Sequence, residues 1–407
     1  MNAGTGMSSD NAGGGLPVPV LFLIADTGGG HRSAARAVAE ALLRDNPGRF
    51  APVLLDPLSG QASSRPLRLV VRLYGPVIRH APWAWGALYR VTNSRRVMGL
   101  LQRTLLRLAD RPVTDEVTRL APGVIVSCHP LTTGAAIRAS RHAACRTPVA
   151  TVVTDLVSVH AGWPHSETDR VVVPSAAARQ RCVHVGVGES RCAELGLPVS
   201  SAFRGGPPPG GRDRPLPGHG DGGRPFRVVV TGGGEGSGGI TRRVRALVRH
   251  FDDIEVVAVC GRNDRARRTL ARLAARSPGR LTVVGMTAGM AGWLRGADVA
   301  VARAGPGTIA EAACCGTALL LTSYLRGQED GNIGLVVAAG AGRHVPRVAG
   351  LLSEIARLRA DPADLRAMRA ASARLARPHA AADTAALIAG LAGTTPAARL
   401  ACSARQA

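Results

Sequence analysis

Apolar residues in this chain come in short blocks. VPVLFLIA (18–25), APVLLD (51–56), GVIVSC (123–128), PVATVVT (148–154) and RVVVP (170–174) are near-continuous runs of Val, Ile, Leu and Ala. Such runs, separated by longer amphipathic stretches, predict strands buried on both faces of a parallel sheet. Ser33 to Arg44 carries helical periodicity between the first two. The series breaks at 204–226, RGGPPPGGRDRPLPGHGDGGRPF, whose Pro and Gly content and lack of apolar residues predict a linker. It restarts with RVVVTGGG (227–234), IEVVAVCG (254–261), LTVVG (281–285), DVAVA (298–302) and TALLLT (317–322), and 348–376 and 379–391 read as helical. The pattern predicts an α/β chain of two Rossmann-like domains, 17–203 and 227–392, with a disordered N-terminus (1–16), the linker at 204–226 and a flexible tail (393–407). Ligands of such folds bind beyond the carboxyl ends of the strands, here in a cleft between the domains.

Three strand ends run into glycine turns. ADTGGGHRSA (25–34) places His31 where a loop enters a helix. A neutral His there can take a proton from a hydroxyl, or can simply cap the helix. TGGGEGSGGI (231–240) contains a G-x-G-x-x-G match at Gly234, Gly236 and Gly239. The next strand ends in Gly261-Arg262-Asn263 without the acid that a dinucleotide ribose needs, so NAD binding is not expected and a phosphate- or substrate-facing loop remains. DVAVARAGPGTIAEA (298–312) is strand, turn, helix: the helix N-terminus suits a diphosphate and Glu311 suits ribose hydroxyls, although Thr308-x-x-Glu311 also spells a capping box. Gln328, Glu329 and Asn332 follow the strand 317–322 and suit sugar hydroxyls or a polar helix start. TDLVSVHAGWPH (154–165) puts Asp155, His160 and Trp163 after a strand in the first half.

Composition narrows the partners. With aromatics at 3%, the cores are mostly aliphatic. All 51 basic residues are Arg, and the net charge of +23 favours an anionic partner. No zinc-finger spacing or aromatic RNA-binding run is present, so nucleic acid is not the expected partner. Residues 65–112 carry ten Arg interleaved with Leu, Val, Trp and Tyr, the composition of interfacial helices on anionic lipid or of a solvated face over a core. No run is long enough to span a bilayer and 1–16 shows no signal-peptide pattern, which places the protein in the cytoplasm, peripheral at the inner face of the cell membrane.

The set GGGHRSAARAVAEAL, VRHAPWAWGALYR, VVTDLVSVHAGWPH, TGGGEGSGGI, VGMTAGMAGWLRGADVAVARAGPGTIAEA and GQEDGNIGLVVAAGAG, in this order over about residues 18–345, resembles the monogalactosyldiacylglycerol synthase family. It is more loosely similar to the peptidoglycan N-acetylglucosaminyltransferase that acts on a lipid intermediate. The resemblance implies a GT-B fold and an inverting, metal-independent glycosyltransferase without a cofactor. It would move a hexose from UDP-galactose or UDP-glucose to a lipid acceptor such as diacylglycerol. His31 would be the base and Asp155 its helper. Gly233, Gly234, Glu235, Gly305, Pro306, Gly307, Thr308, Glu311, Gln328, Glu329 and Asn332 would hold the donor. Gly29, Gly30, Arg79, Trp83, Trp85, His160 and Trp163 would face acceptor and membrane. Where the family has Lys, this chain has Arg303 and Asp330, and the interdomain crossing reads LPVSSAFR (197–204). The rivals are a UDP-N-acetylglucosamine transferase to another lipid or natural-product acceptor, a UDP-sugar 2-epimerase and a non-catalytic UDP-sugar-binding protein.

Overall fold

The computed structural model describes residues 16–25, 29–143, 145–205 and 225–393, without the side chains of Arg79 and Pro82. The predicted disordered N-terminus, nearly all of the linker and tail, and the Arg79 side chain lie outside the described residues. The first half forms β1 (Val18–Leu23), β2 (Phe50–Leu55), β3 (Val124–Ser127), β4 (Val149–Val152), β5 (Arg170–Val173) and β6 (Cys192–Glu194). The second forms β7 (Phe226–Thr231), β8 (Ile254–Val259), β9 (Leu281–Val284), β10 (Val299–Arg303), β11 (Ala318–Ser323) and β12 (Gly342–His344). Each half is one six-stranded sheet, ordered β2-β1-β3-β4-β5-β6 and β12-β11-β10-β7-β8-β9. All pairings are parallel: Leu21 lies opposite Ile125, and Val229 opposite Ala300. The order reverses between β1 and β3 in the first sheet and between β7 and β10 in the second. Loops diverge at such switch points and leave a crevice for ligand.

The apolar runs become strand cores because both faces are covered by helices. Val20, Phe22, Val124 and Val126 are completely buried on one face of the first sheet, as are Val228, Val256 and Val299 in the second. β6 and β12 do not stand out as apolar runs. Their sequences are CAE and GRH, three residues each, and pairing rather than burial makes them strands.

One boundary differs from the sequence reading. The last helix, Ala380–Gly393, was placed with the second domain, but it packs on the first. Ala381, Ala385, Ile388 and Ala389 share a core with Val20, Phe22 and Val38. Its Ala-rich face lets it approach closely: a Cβ added at Gly123, before β3, would lie 3.2 Å from the Ala392 Cβ. The periodicity of 379–391 predicts a helix but does not say which sheet it covers. The crossing LPVSSAFR ends with Phe203 buried in the second domain's core beside Leu197 and Val199.

Candidate functional site

Gly29, just before the first helix, is held at φ 84°, a left-handed conformation that suits glycine. Gly29 is the N-cap of the helix Gly30–Asp45 and no side chain caps it, so His31 is not the capping group. His31 is 8% exposed. Its Nδ1 lies 2.9 Å from Thr154 Oγ1, and its ring centroid lies 4.5 Å from that of His129 and 5.8 Å from that of Trp163. Burial pulls its pKa down to about 4, partly offset by a hydrogen bond to the Cys128 backbone. The ring is therefore uncharged at neutral pH and able to accept a proton.

The loop after β4 is built around Asp155, 3% exposed. Its Oδ2 accepts from Trp163 Nε1 at 2.7 Å and from the His160 amide at 3.2 Å, and Gln328 of the second domain lies near enough to help hold the carboxyl's pKa down. Burial raises its pKa to about 6 against these donors. Trp163 is fully buried, which overturns its expected contact with acceptor or membrane: it anchors Asp155. His160 is also committed. Its Nδ1 accepts from the Gly162 amide at 3.1 Å, which leaves the proton on Nε2, 3.2 Å from Thr92 Oγ1. It too supports the loop and does not face a membrane.

Across the cleft, the helix Pro306–Cys314 begins at the N-cap Gly305, with Pro306 in its first turn and no side-chain cap. Thr308 is the helix's third residue, so the capping box suggested by Thr-x-x-Glu does not form. The Gly307 and Thr308 amides have no acceptor inside the helix, and they carry the positive end of its dipole. Glu311 is partly buried one turn on, and burial lifts its carboxyl to about 7.

Glu329 is 1% exposed and fixes its own loop. Its Oε2 accepts from the Leu325 amide at 2.7 Å, and its Oε1 lies 3.4 Å from Arg303 Nη2. Asn332 donates to the Ala304 carbonyl at 2.9 Å. Arg303 Nε and Nη1, Gln328 Oε1 and Asn332 Oδ1 are buried without partners in the protein. Such groups are costly unless something else pairs with them, and together they suit a polar ligand. Asp330, the charge reversal against the family pattern, is exposed and accepts from the Gly327 amide at 2.9 Å, so it caps its own turn.

The glycine loop after β7 is mostly self-packed. Gly236 holds φ 58° against the Cys260 carbonyl, where any Cβ would collide. The Gly233 amide donates to Thr231 Oγ1 and the Gly234 carbonyl accepts from the Arg262 amide. Glu235 is paired with Arg262. Gly233 and Gly234 are half-buried, with an added Cβ at Gly233 3.9 Å from Arg303 Nη2, while Glu235 is not a free carboxylate.

The basic stretch folds into the helices Arg65–His80, Pro82–Thr92 and Arg95–Arg103. Leu69, Leu73, Trp83, Leu88, Val91 and Leu100 are each more than half exposed. Among the described residues Arg65, Arg68, Arg72, Arg90, Arg95 and Arg96 have no carboxylate partner. Arg65, Arg68, Leu69 and Arg72 line a cleft of about 380 Å³. Trp85 faces inward instead, its ring 4.9 Å from Tyr74 and its indole N–H buried without a partner. No described helix is long and apolar enough to cross a membrane.

Two residues beside the site escaped sequence reasoning. His129, buried next to His31, follows β3 at the switch point, and Cys-His-Pro at a strand end was the available signal. Tyr89 ties two loops together, donating to the Ser158 carbonyl and packing on Gly327, and left no signal beyond its place in an aromatic stretch.

The comparisons with known proteins agree with this geometry. The sequence model for monogalactosyldiacylglycerol (MGDG) synthase matches residues 31–199, and that for the glycosyltransferase family 28 C-terminal domain matches 227–384. A probable monogalactosyldiacylglycerol synthase 2 of Oryza sativa subsp. japonica is 31% identical over 83% of this chain and 74% of its own. Monogalactosyldiacylglycerol synthase 1 of Arabidopsis thaliana is 30% identical over 89% and 69%. Acinetobacter baumannii MurG superposes with a TM-score of 0.57 at 16% identity, over 92% of this chain and all of that one, which establishes the GT-B fold. The expected location, cytoplasmic at the inner face of the cell membrane, is corrected: these plant relatives are named chloroplastic, and a signal read from residue composition does not specify a compartment. With both family models matched and relatives about 30% identical over most of its length, the chain belongs to the monogalactosyldiacylglycerol synthase family of GT-B glycosyltransferases.

Proposed function

We propose that the protein transfers galactose from UDP-galactose to the free hydroxyl of diacylglycerol, with inversion at the sugar's C1 and without a metal ion. The observation that carries this reading is the packing of the Asp155 loop of the first domain on the sugar-facing loop of the second: Ser158 Oγ accepts from the Gly331 amide at 3.4 Å and Val157 lies against Gly331. The acceptor oxygen attacks C1 as its proton passes to His31. The C1–O bond to UDP breaks, and its electron pair leaves on the diphosphate. Asp155 stabilises the imidazolium that forms. The Gly307 and Thr308 amides and the helix dipole receive the growing negative charge, in the place a divalent cation takes elsewhere. Glu311 binds the ribose hydroxyls, and the unpaired atoms of Arg303, Gln328 and Asn332 pair with diphosphate and sugar. Among the described residues no three His, Cys, Asp or Glu are grouped to hold a metal. The exposed apolar side chains and unpaired arginines of residues 65–108 dock on an anionic lipid surface and bring the acceptor to the cleft.

The test is His31→Ala. The expected loss of turnover is about 10²–10⁴-fold, the usual range for a general base, with the melting shift given by UDP preserved. Wild-type turnover in the variant excludes His31 as the base.

A further inference from the structure

The helix Pro82–Thr92 has two faces of opposite purpose. Trp83, Leu88 and Val91 point to solvent, 73%, 51% and 57% exposed. Trp85, Gly86, Tyr89 and Thr92 point inward, and every one of them meets a catalytic loop or an aromatic leading to one. Tyr89 is 5% exposed and its hydroxyl donates to the Ser158 carbonyl at 2.7 Å. Its ring lies 4.9 Å from that of His160 and covers Gly327 so closely that an added Cβ would sit 2.6 Å from Tyr89 Cδ1. Gly86 packs on Arg326 in the same way. Thr92 takes His160 Nε2, and the Asn93 side chain accepts from the Ala161 amide at 2.7 Å.

The loop that Tyr89 holds is the one that spans the cleft. Ser158 Oγ accepts from the Gly331 amide at 3.4 Å, and an added Cβ at Gly331 would collide with Val157. One helix therefore contacts solvent through an apolar face, the acceptor-side loop through Tyr89, Thr92 and Asn93, and the donor-side loop through Gly86 and Tyr89.

We infer that Tyr89 is a positioning residue that transmits docking of this helix on lipid to the two catalytic loops, so that the Ser158–Gly331 contact between them is favoured when the helix is seated on a membrane. The inference rests on the proposed glycolipid synthesis. Docking immobilises the helix through Trp83, Leu88 and Val91, and the Tyr89 hydroxyl and ring pass that constraint to the segment 155–163 and to the turn 325–331. The energy for closure comes from burial of the outer face in lipid and needs no chemical step. UDP alone, held by the second domain, does not require the coupling.

The experiment uses the full chain and a water-soluble short-chain diacylglycerol, so that acceptor presentation is separated from docking. Turnover is measured with saturating UDP-galactose, with and without acceptor-free vesicles of anionic and zwitterionic lipid, for wild type, Tyr89→Phe and Tyr89→Leu. Wild-type kcat is expected to rise at least about threefold with vesicles. Tyr89→Phe keeps the ring and removes only the bond to Ser158; it is expected to lose most of that stimulation while its UDP thermal shift stays at the wild-type value. Tyr89→Leu is expected to lose all of it. A merely structural role predicts a lower melting temperature and an unchanged vesicle response. Vesicles without effect on wild type, or a Tyr89→Phe variant stimulated like wild type, overturn the inference. Absence of wild-type turnover on any diacylglycerol instead overturns the proposed function on which it rests.

Discussion

Replacing Asp155 by Asn separates what this carboxylate does for the reaction from what it costs the fold. Asp155 is 3% exposed, and its pKa is raised from 3.8 to about 6 chiefly by burial. At about 1.4 kcal/mol for each tenfold change in proton affinity, holding the ionised form at neutral pH costs about 3 kcal/mol. The sign follows from linkage. The folded pKa lies above the unfolded one, so this group's stabilising contribution is fully present below about pH 4 and lost as pH rises through about 6. Asn carries no charge to desolvate. Its oxygen can accept from Trp163 Nε1 and the His160 amide, and Gln328, whose own oxygen has no partner, can turn its amide to accept from the new NH₂. Loss of charge assistance in these bonds takes back part of the gain, about 1–2 kcal/mol, and leaves a net stabilisation of about 1–2 kcal/mol. For a domain of this size that is a rise in melting temperature of roughly 4 °C at pH 7.5. On the proposed mechanism, in which Asp155 stabilises the His31 imidazolium, turnover should fall by about a hundredfold or more. The assay is thermal unfolding of both proteins at pH 4.5 and 7.5, with kcat at the higher pH. A variant less stable than wild type at pH 7.5, or a stability difference that does not change between the two pH values, refutes the reasoning.

The same groups set the pH dependence of the reaction: kcat should fall as pH drops through about 6, where Asp155 protonates, while His31, depressed to about 4, stays neutral through that limb. A wild-type profile flat from pH 5 to 8 contradicts both assignments. Glu311→Gln should raise the donor KM about 10–100-fold, the worth of one hydrogen bond to a charged group, with kcat within a few-fold of wild type; an unchanged KM removes Glu311 from the ribose. Replacing Arg65, Arg68 and Arg72 together by Gln should weaken binding to anionic vesicles on the order of a hundredfold, at about 1 kcal/mol per residue, and flatten its salt dependence. Equal binding by the triple variant assigns these arginines to solvation alone.

Legibility followed burial and glycine. Runs such as VPVLFLIA and DVAVA lie mostly buried in a parallel sheet, where such composition is favoured, and ten of the strands are visible in the sequence. β6 and β12 are not, because three-residue edge strands are defined by their neighbours. His31, Asp155, Gly305–Thr308 and Gln328 stand out in the sequence because each follows a strand end, where such folds expose backbone to ligand. What each side chain does there depends on partners far away in sequence. Trp163 and His160 read as acceptor contacts but fold inward to hold Asp155 and Thr92. Glu235 reads as a donor ligand but is paired with Arg262. The docking of Ala380–Gly393 on the first domain has no local signature, since an Ala-rich helix fits either sheet.

The central claim is best tested by UDP release from the purified protein offered UDP-galactose, UDP-glucose and UDP-N-acetylglucosamine, each with diacylglycerol in anionic vesicles and without acceptor, in buffer containing a chelator. The account predicts release that depends on diacylglycerol, that is fastest with UDP-galactose and that the chelator leaves unchanged. No acceptor-dependent release from any donor, with no melting shift from UDP, contradicts it.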